Sequence, residues 1–354
     1  MSELAIAAFA AVSGEHLFEE PRTRRFERFR STFDEPAYRR DLAARGFRFV
    51  ARSHYGFPAL LRSIHDPPAG LFVRGDAGLE LLAQPSVAIV GARACSAYGA
   101  AVATDLARAL AAAGVLVVSG LARGVDAAAH RGALALGRTV AVLGCGIDRD
   151  YPRAHAQLAV DVARSGLIVS EYPPGVEPAP WRFPARNRIV AGLTRATVVV
   201  EARERSGALI TADLALDEGR DVLAVPGEIT SALSRGTNQL LRLGAIPVTC
   251  AEDVLEAIGV EPPPAPTRPA LEPRLEAVLQ LVAAAATTAD EIAQRTGQTA
   301  AAVGAALTEL ELLGLVDEGE GVYRASSGGW STTMVDPRRG ASCARIVRPG
   351  PPPA

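Results

Sequence analysis

From about residue 84 to 258, apolar and polar positions alternate in a regular way. Val87–Val90 is a short apolar run stopped by Gly91, the pattern of a strand buried on both faces. Tyr98–Ala113 carries Ala and Leu at helical spacing and ends at Gly114, a residue suited to the helix C′ position. Val115–Val118 is a second apolar run, closed by Ser119-Gly120, and Asp126 opens another helix. The same rhythm predicts strands at Thr139–Leu143, Leu167–Ser170, Thr197–Val200, Val222–Val225 and Ile246–Val248. Helices over Ala154–Arg164, Ala208–Glu218 and Thr237–Leu243 fall between them. This alternation implies an α/β fold: an extended, Rossmann-like, doubly wound and mainly parallel sheet with right-handed crossovers.

The flanks read differently. Residues 1–80 are mixed: Ala37–Arg45 has a helical pattern, Phe47–Ala51 and Leu71–Arg74 read as strands leading into the sheet, and Pro58–Ser63 reads as a short helix. Arg22–Arg30 is basic with interleaved Phe, which suits either a nucleic-acid arm or a solvated helix face with two core anchors, and the second is favoured. Beyond the α/β region (81–260), residues 261–270 form a proline-rich linker. Residues 271–325 predict three helices and a hairpin, with Thr288 and Glu291 forming a capping box; this is a C-terminal winged-helix domain. Its third helix has no arginine, so it suits a protein contact as well as a DNA contact. The Gly-, Ser- and Pro-rich tail, 326–354, is expected to be disordered.

Composition narrows the chemistry. The formal net charge of −2 means that any nucleic-acid surface must be a local patch. All 37 Lys+Arg residues are Arg, which removes P-loop lysines, Schiff bases and lysine general bases together. Four scattered cysteines and five histidines show no zinc-site spacing, and no cofactor motif is present. The N-terminus lacks the basic start of a signal peptide and no apolar run has membrane-spanning length, which points to a cytoplasmic chain without a membrane span.

In an open parallel sheet, ligands bind at the carboxyl edge, where turns present backbone N–H groups and helix N-termini. Here those turns hold Gly91, Gly120 and Gly144, with Arg93 and Arg123 beside them, a combination suited to phosphate. The turns lack both G-x-G-x-x-G and G-x-x-x-x-G-K-[ST], so the usual nucleotide machinery is missing. Asp126 and His130 share a helix face, but no nucleophile is tied to them, and a packed, hydrogen-bonded histidine is expected. Cys95 and Cys145 read as small buried residues.

The motifs Gly91–Gly99, Ser119–His130, Tyr151-Pro152, Ser170–Gly175, Phe183–Ile189, Glu201 with Ser206–Thr211, Glu218–Val222 and Pro226-Gly227 occur in an order that resembles the DNA-processing protein A family, DprA/Smf. The resemblance runs from about residue 45 to 258; residues 1–40 depart from the family's helical N-terminal domain. It implies a non-catalytic protein that binds and protects incoming single-stranded DNA and loads the RecA recombinase on it during natural transformation. The family's DNA-contacting arginine falls on Arg93, and its basic residue after Tyr-Pro falls on Arg153. The candidate nucleic-acid-binding set is Gly91, Arg93, Ser96, Gly120, Arg123, Gly144, Arg153, Arg186, Asn187 and Arg188. One arginine of the Arg186–Arg188 pair is expected to be structural, with Glu201 as its partner. The resemblance also implies a homodimer formed by the end of the sheet, where Leu216 and Leu241 are the expected interface residues. The alternative on a similar fold is a nucleoside-monophosphate phosphoribohydrolase with P-G-G-x-G-T-x-x-E. Here Gly236-Thr237 is detached from Pro226-Gly227, and Leu240 occupies the place of the acid.

Overall fold

The computed structural model describes residues 2–13, 23–262, 271–319 and 321–325, so most of the proline-rich linker and the whole tail from 326 lie outside the described residues. The chain divides into two compact units, 1–263 and 264–354.

In the first unit, helices α1 (Glu3–Ser13), α2 (Arg24–Thr32) and α3 (Glu35–Ala44) precede strand β1 (Phe47–Ala51). There follow α4 (Ala59–Arg62), β2 (Gly70–Arg74), β3 (Ser86–Val90), α5 (Ala97–Ala112), β4 (Leu116–Ser119), α6 (Val125–Leu134) and β5 (Thr139–Val142). The second half contains α7 (Ala156–Ser165), β6 (Leu167–Ser170), α8 (Arg182–Gly192), β7 (Ala196–Val199), α9 (Gly207–Asp217), β8 (Asp221–Ala224), α10 (Arg235–Arg242), β9 (Ile246–Pro247) and α11 (Ala251–Ala257). The strands form one sheet in the order β1-β2-β6-β5-β4-β3-β7-β8-β9. β3 to β9 pair parallel throughout, while β2 lies antiparallel to β6 and β1 antiparallel to β2. From β3 the chain winds outward through β4, β5 and β6, then returns to the other side of β3 as β7. The strand order therefore reverses between β3 and β7, where a doubly wound sheet opens its ligand crevice.

The apolar runs lack polar alternation because both sheet faces are covered. Ala88, Val118, Val140, Val142, Val169 and Ala224 face one layer, built on α4, α8, α9 and α10. Val87, Ile89, Val117, Val198 and Leu223 face the other, under α5, α6 and α11. That second face continues into Ala141, Leu143 and Ile168, packed with Leu158 of α7, Leu42 of α3 and Leu4 of α1. The described residues before β1 are therefore mainly helical, and α1 is part of the core. The basic stretch forms α2, whose Phe26 is buried and Phe29 half-buried while Arg24, Arg25, Arg28 and Arg30 face solvent. Phe26 and Phe29 are the two anchors that the sequence pattern required.

In the second unit, α12 (Pro273–Ala284), α13 (Ala289–Thr296) and α14 (Ala300–Leu312) precede the hairpin β10 (Val316–Gly319) and β11 (Val322–Ala325). Its core joins Leu275, Val278, Ile292, Val303, Leu307 and Leu310. The Thr288 hydroxyl accepts from the Glu291 N–H, and the Glu291 carboxylate accepts from the Thr288 N–H, so the capping box is present. Among the described residues, no helix is long and apolar enough to cross a membrane.

Candidate nucleic-acid interface

Three strand ends are laced together at the carboxyl edge. The Ala92 N–H donates to Glu201 O (2.7 Å), and the Val125 N–H donates to Ala92 O (3.3 Å), which joins the ends of β3 and β7 to the start of α6. A Cβ on Gly91 would lie 2.6 Å from the Val125 side chain, so only glycine lets the first turn close against α6. Ser96 then caps α5. Its hydroxyl accepts from the Gly99 N–H and donates to the Glu201 carboxylate, which also accepts from the Ser96 N–H at 2.9 Å. The Ser96 side chain is thereby committed to the fold. Arg93 leaves the pinned turn into solvent.

The second turn follows β4. Ser119 donates to Ile89 O, and Leu121 adopts a left-handed backbone, φ +60°. Asp126, in the first turn of α6, accepts from the Gly120 and Ala122 N–H groups at 3.2 Å each. Burial pushes its carboxyl above the usual range, against the pull of the nearby Arg186 guanidinium. Arg123 points to solvent from this turn. After β5, buried Gly144 backs onto Phe183 and the Arg182 carbonyl. The chain then reaches a short 3-10 turn, Arg153–His155, whose His155 Nδ1–H donates to Leu121 O at 3.0 Å. That bond ties the exposed Arg153 to the second turn.

The Arg186-Asn187-Arg188 stretch has a different role for each side chain. It lies on α8, with both arginines buried. Arg186 donates to Gly120 O (2.7 Å) and to Val142 O, capping carbonyls at the ends of β4 and β5. Arg188 pairs with Glu171 at 2.5 Å. Both arginines are built into the fold, where the sequence analysis expected one, and the partner is Glu171, since Glu201 holds Ser96. Asn187 is half-buried, accepting from Arg186 Nε and donating to Gly207 O.

A cleft of about 340 Å³ opens at the point where the strand order reverses. Its lining brings together Gly91, Arg93, Gly120, Arg186 and Asn187, and leaves out Ser96, Arg123, Gly144, Arg153 and Arg188. It adds residues that the sequence analysis missed: Phe183, the exposed Arg203 and Arg205, and the Ser206-Gly207 turn. The missed arginines had a signal, since Arg203-Glu204-Arg205 directly follows a strand, as Arg93 does. Arg93, Arg123, Arg153, Arg203 and Arg205 are all exposed on the carboxyl edge, and none is ion-paired with a described residue. Leu216 and Leu243 are 55% and 76% exposed toward the other end of the sheet. Leu241 is half-buried against the core, so the exposed leucine at the end of α10 is its C-cap, Leu243.

His130 is fully buried beside Thr139 (Nδ1 to Oγ1, 2.7 Å), and the Thr139 hydroxyl donates onward to Val117 O. That assigns the proton to Nδ1, and burial lowers the ring's pKa to about 3. The side chain is a neutral core group. Burial also pushes the Cys145 thiol up to about 11 and raises that of Cys95, which keeps both protonated near neutrality. No cluster of metal-binding side chains occurs among the described residues. Neither His130 nor either cysteine is therefore set up as a general base or nucleophile, whereas the edge presents cations and amides.

Known proteins resemble this chain over most of its length. The family model for DNA recombination-mediator protein A matches residues 48–259, and that for the DprA winged helix domain matches residues 261–321. DNA processing protein DprA of Streptococcus pneumoniae is 47% identical over 200 residues, covering 56% of this chain and 70% of the relative. DprA of Bacillus subtilis is 40% identical over 228 residues, covering 63% and 76%. Among solved structures, that of DprA from S. pneumoniae has a TM-score of 0.62 at 38% identity, covering 72% of this chain and 93% of that one. DNA processing protein A from Helicobacter pylori, whose structure was described for its single-stranded DNA binding mode, has a TM-score of 0.54 at 32% identity, covering 59% and 94%. The chain belongs to the DNA recombination-mediator protein A family, with the α/β domain and the winged helix of the DprA proteins both present.

Proposed function

We propose that this chain binds single-stranded DNA along the carboxyl edge of its sheet, protects DNA entering the cytoplasm, and loads the RecA recombinase on it during natural transformation. The observation that carries the reading is the row of exposed, unpaired arginines at Arg93, Arg123, Arg153, Arg203 and Arg205, bordering a cleft at the reversal of strand order. Guanidinium groups beside backbone amides suit a phosphodiester chain, and phosphate contacts of this kind are indifferent to sequence. Kinship with a protein described as a single-stranded DNA binder supports the same reading. A phosphoribohydrolase is disfavoured, because Leu240, in the place of its acid, is buried in the core. The test is fluorescence anisotropy on labelled dT oligomers at two salt concentrations. Arg93→Ala and Arg153→Ala should each weaken binding and flatten its salt dependence; unchanged binding by both variants would refute the site.

The reading includes a homodimer through the β9 end of the sheet. Leu243 and Leu216, with Ile246 of the two-residue edge strand, supply exposed apolar surface that a two-fold contact would bury. Two grooves on one particle would make long oligomers bind more tightly than short ones. Leu216→Arg combined with Leu243→Arg should give a monomer by light scattering, and an unchanged dimer would refute this interface.

A further inference from the structure

Four aromatic side chains are exposed among the described residues: Tyr55, Tyr98, Tyr151 and Trp181. Three of them lie on the arginine-bearing edge. Tyr98 is in the first turn of α5, Tyr151 is two residues before Arg153, and Trp181 is the N-cap of α8. Tyr151 contacts Phe183, two residues from Trp181 in the chain, and Trp181 contacts Arg182. The Tyr151 ring stacks on Phe183 with centroids 5.3 Å apart and 26° between planes, while remaining 42% exposed. The Arg93 guanidinium lies 5.6 Å from the Phe183 centroid, and Phe183 itself lines the cleft. Trp181, 48% exposed, carries the Arg182 guanidinium 4.8 Å from its centroid. Large rings left in water cost burial energy that a fold normally recovers. Here Tyr151 is held by Phe183, with the exposed Arg93 beside it, and Trp181 is held by the buried Arg182 guanidinium.

We infer that Tyr151 and Trp181, supported by Phe183 and Arg182, form a platform on which bases of the bound strand stack while the arginines hold its phosphates. This rests on the proposed single-stranded DNA binding and adds a base-contacting surface to it. Every base has a π-face, so such a platform tolerates any sequence but requires a base. Phosphate contacts persist when the bases are removed, whereas stacking does not.

The test uses the full chain and two labelled ligands of equal length and charge, a dT oligomer and its abasic tetrahydrofuran counterpart. Wild type should bind the dT oligomer more tightly. Tyr151→Ala and Trp181→Ala should each lower dT affinity roughly 5- to 150-fold, the range expected for one stacked base. Abasic affinity and the salt slope should stay unchanged, and Tyr151→Phe should retain binding. Tyr55→Ala, at a 93% exposed ring elsewhere in the domain, should bind both ligands as wild type does. Because truncation could disturb the edge, Trp181 fluorescence in a Trp330→Phe chain gives a second readout, with quenching by dT and none by the abasic strand. Equal affinity of wild type for both ligands, equal losses on both ligands in the variants, or equal quenching by both would overturn the platform. Loss on both ligands in Arg153→Ala would leave the phosphate-binding reading intact, whereas failure of wild type to bind either ligand would remove that reading itself.

Discussion

The edge of the α/β domain and the exposed face of the winged helix carry opposite chemistry. On the edge, five exposed arginines stand clear of carboxylate partners, and Asp126, Glu171 and Glu201 are buried beneath them. In the winged helix, residues 271–325 hold nine carboxylates against three arginines, and Arg274 is already bound to Glu272 and Glu309. Helix α14, in the position that reads the major groove in winged-helix proteins, exposes Ala301, Ala305, Thr308 and Leu312, with Glu311 beside them. That face offers no cation for phosphate, and Thr308 is its one neutral hydrogen-bonding side chain. A fold associated with DNA reading thus presents a third helix without cations, while a fold associated with nucleotides carries exposed arginines on its ligand edge. Function follows the side chains placed on each scaffold.

The contrast can be tested through stability first. Arg188→Ala would remove the guanidinium that pairs with buried Glu171 and should destabilise the α/β domain by about 3–5 kcal/mol. A urea melt should show this transition shifted and the winged-helix transition unmoved. Acid should separate the units as well. His130 is neutral in the folded state with a pKa of about 3, while in the unfolded chain it takes up a proton near 6.5. The unfolded state therefore binds more protons between those values, and stability is lost as pH falls from about 6.5 toward 3, at about 1.4 kcal/mol per pH unit. The His130→Asn variant should show a shallower loss over that window. The winged helix contains no histidine and should hold until its capping carboxylate Glu291, kept below its usual range by the Thr287 and Thr288 hydrogen bonds, is protonated.

On the binding side, Arg93→Ala and Arg153→Ala should each cost about 1–3 kcal/mol toward single-stranded DNA, with a shallower dependence of log affinity on log salt. The smallest effect belongs to the winged helix. Thr288→Ala should cost about 1 kcal/mol of that domain's stability through its lost cap and leave DNA affinity unchanged. A change in DNA affinity in that variant would erode the contrast between the two units.

The strands were legible because a parallel sheet covered on both faces writes its strands as short apolar runs between glycine turns. Seven predicted strands of the α/β region agree with β3 to β9 within two residues. Helix α8 was not legible. Pro184 lies in its first turn, where a missing N–H costs nothing, and its polar Arg-Asn-Arg stretch gives no apolar periodicity. The same stretch hid the burial of Arg186 and Arg188. Local spacing shows a basic patch, whereas the carbonyls of Gly120 and Val142 and the Glu171 carboxylate that draw them inward are distant in the chain. Helix α1 is apolar all round, so it offers no face to detect until Leu4 and Phe9 are seen packed in the core. The helical spacing of Leu240, Leu241 and Leu243 required one of them to face outward. It could not show that Leu243, beyond the last turn of α10, would be the one released.

The most direct test of the account is the affinity of residues 1–262 for a dT oligomer, measured beside the full chain across a salt series. If the arginine edge is the DNA site, the fragment should melt cooperatively and match the full chain in affinity and salt slope. A folded fragment that has lost binding would contradict the account and assign the DNA to residues 263–354.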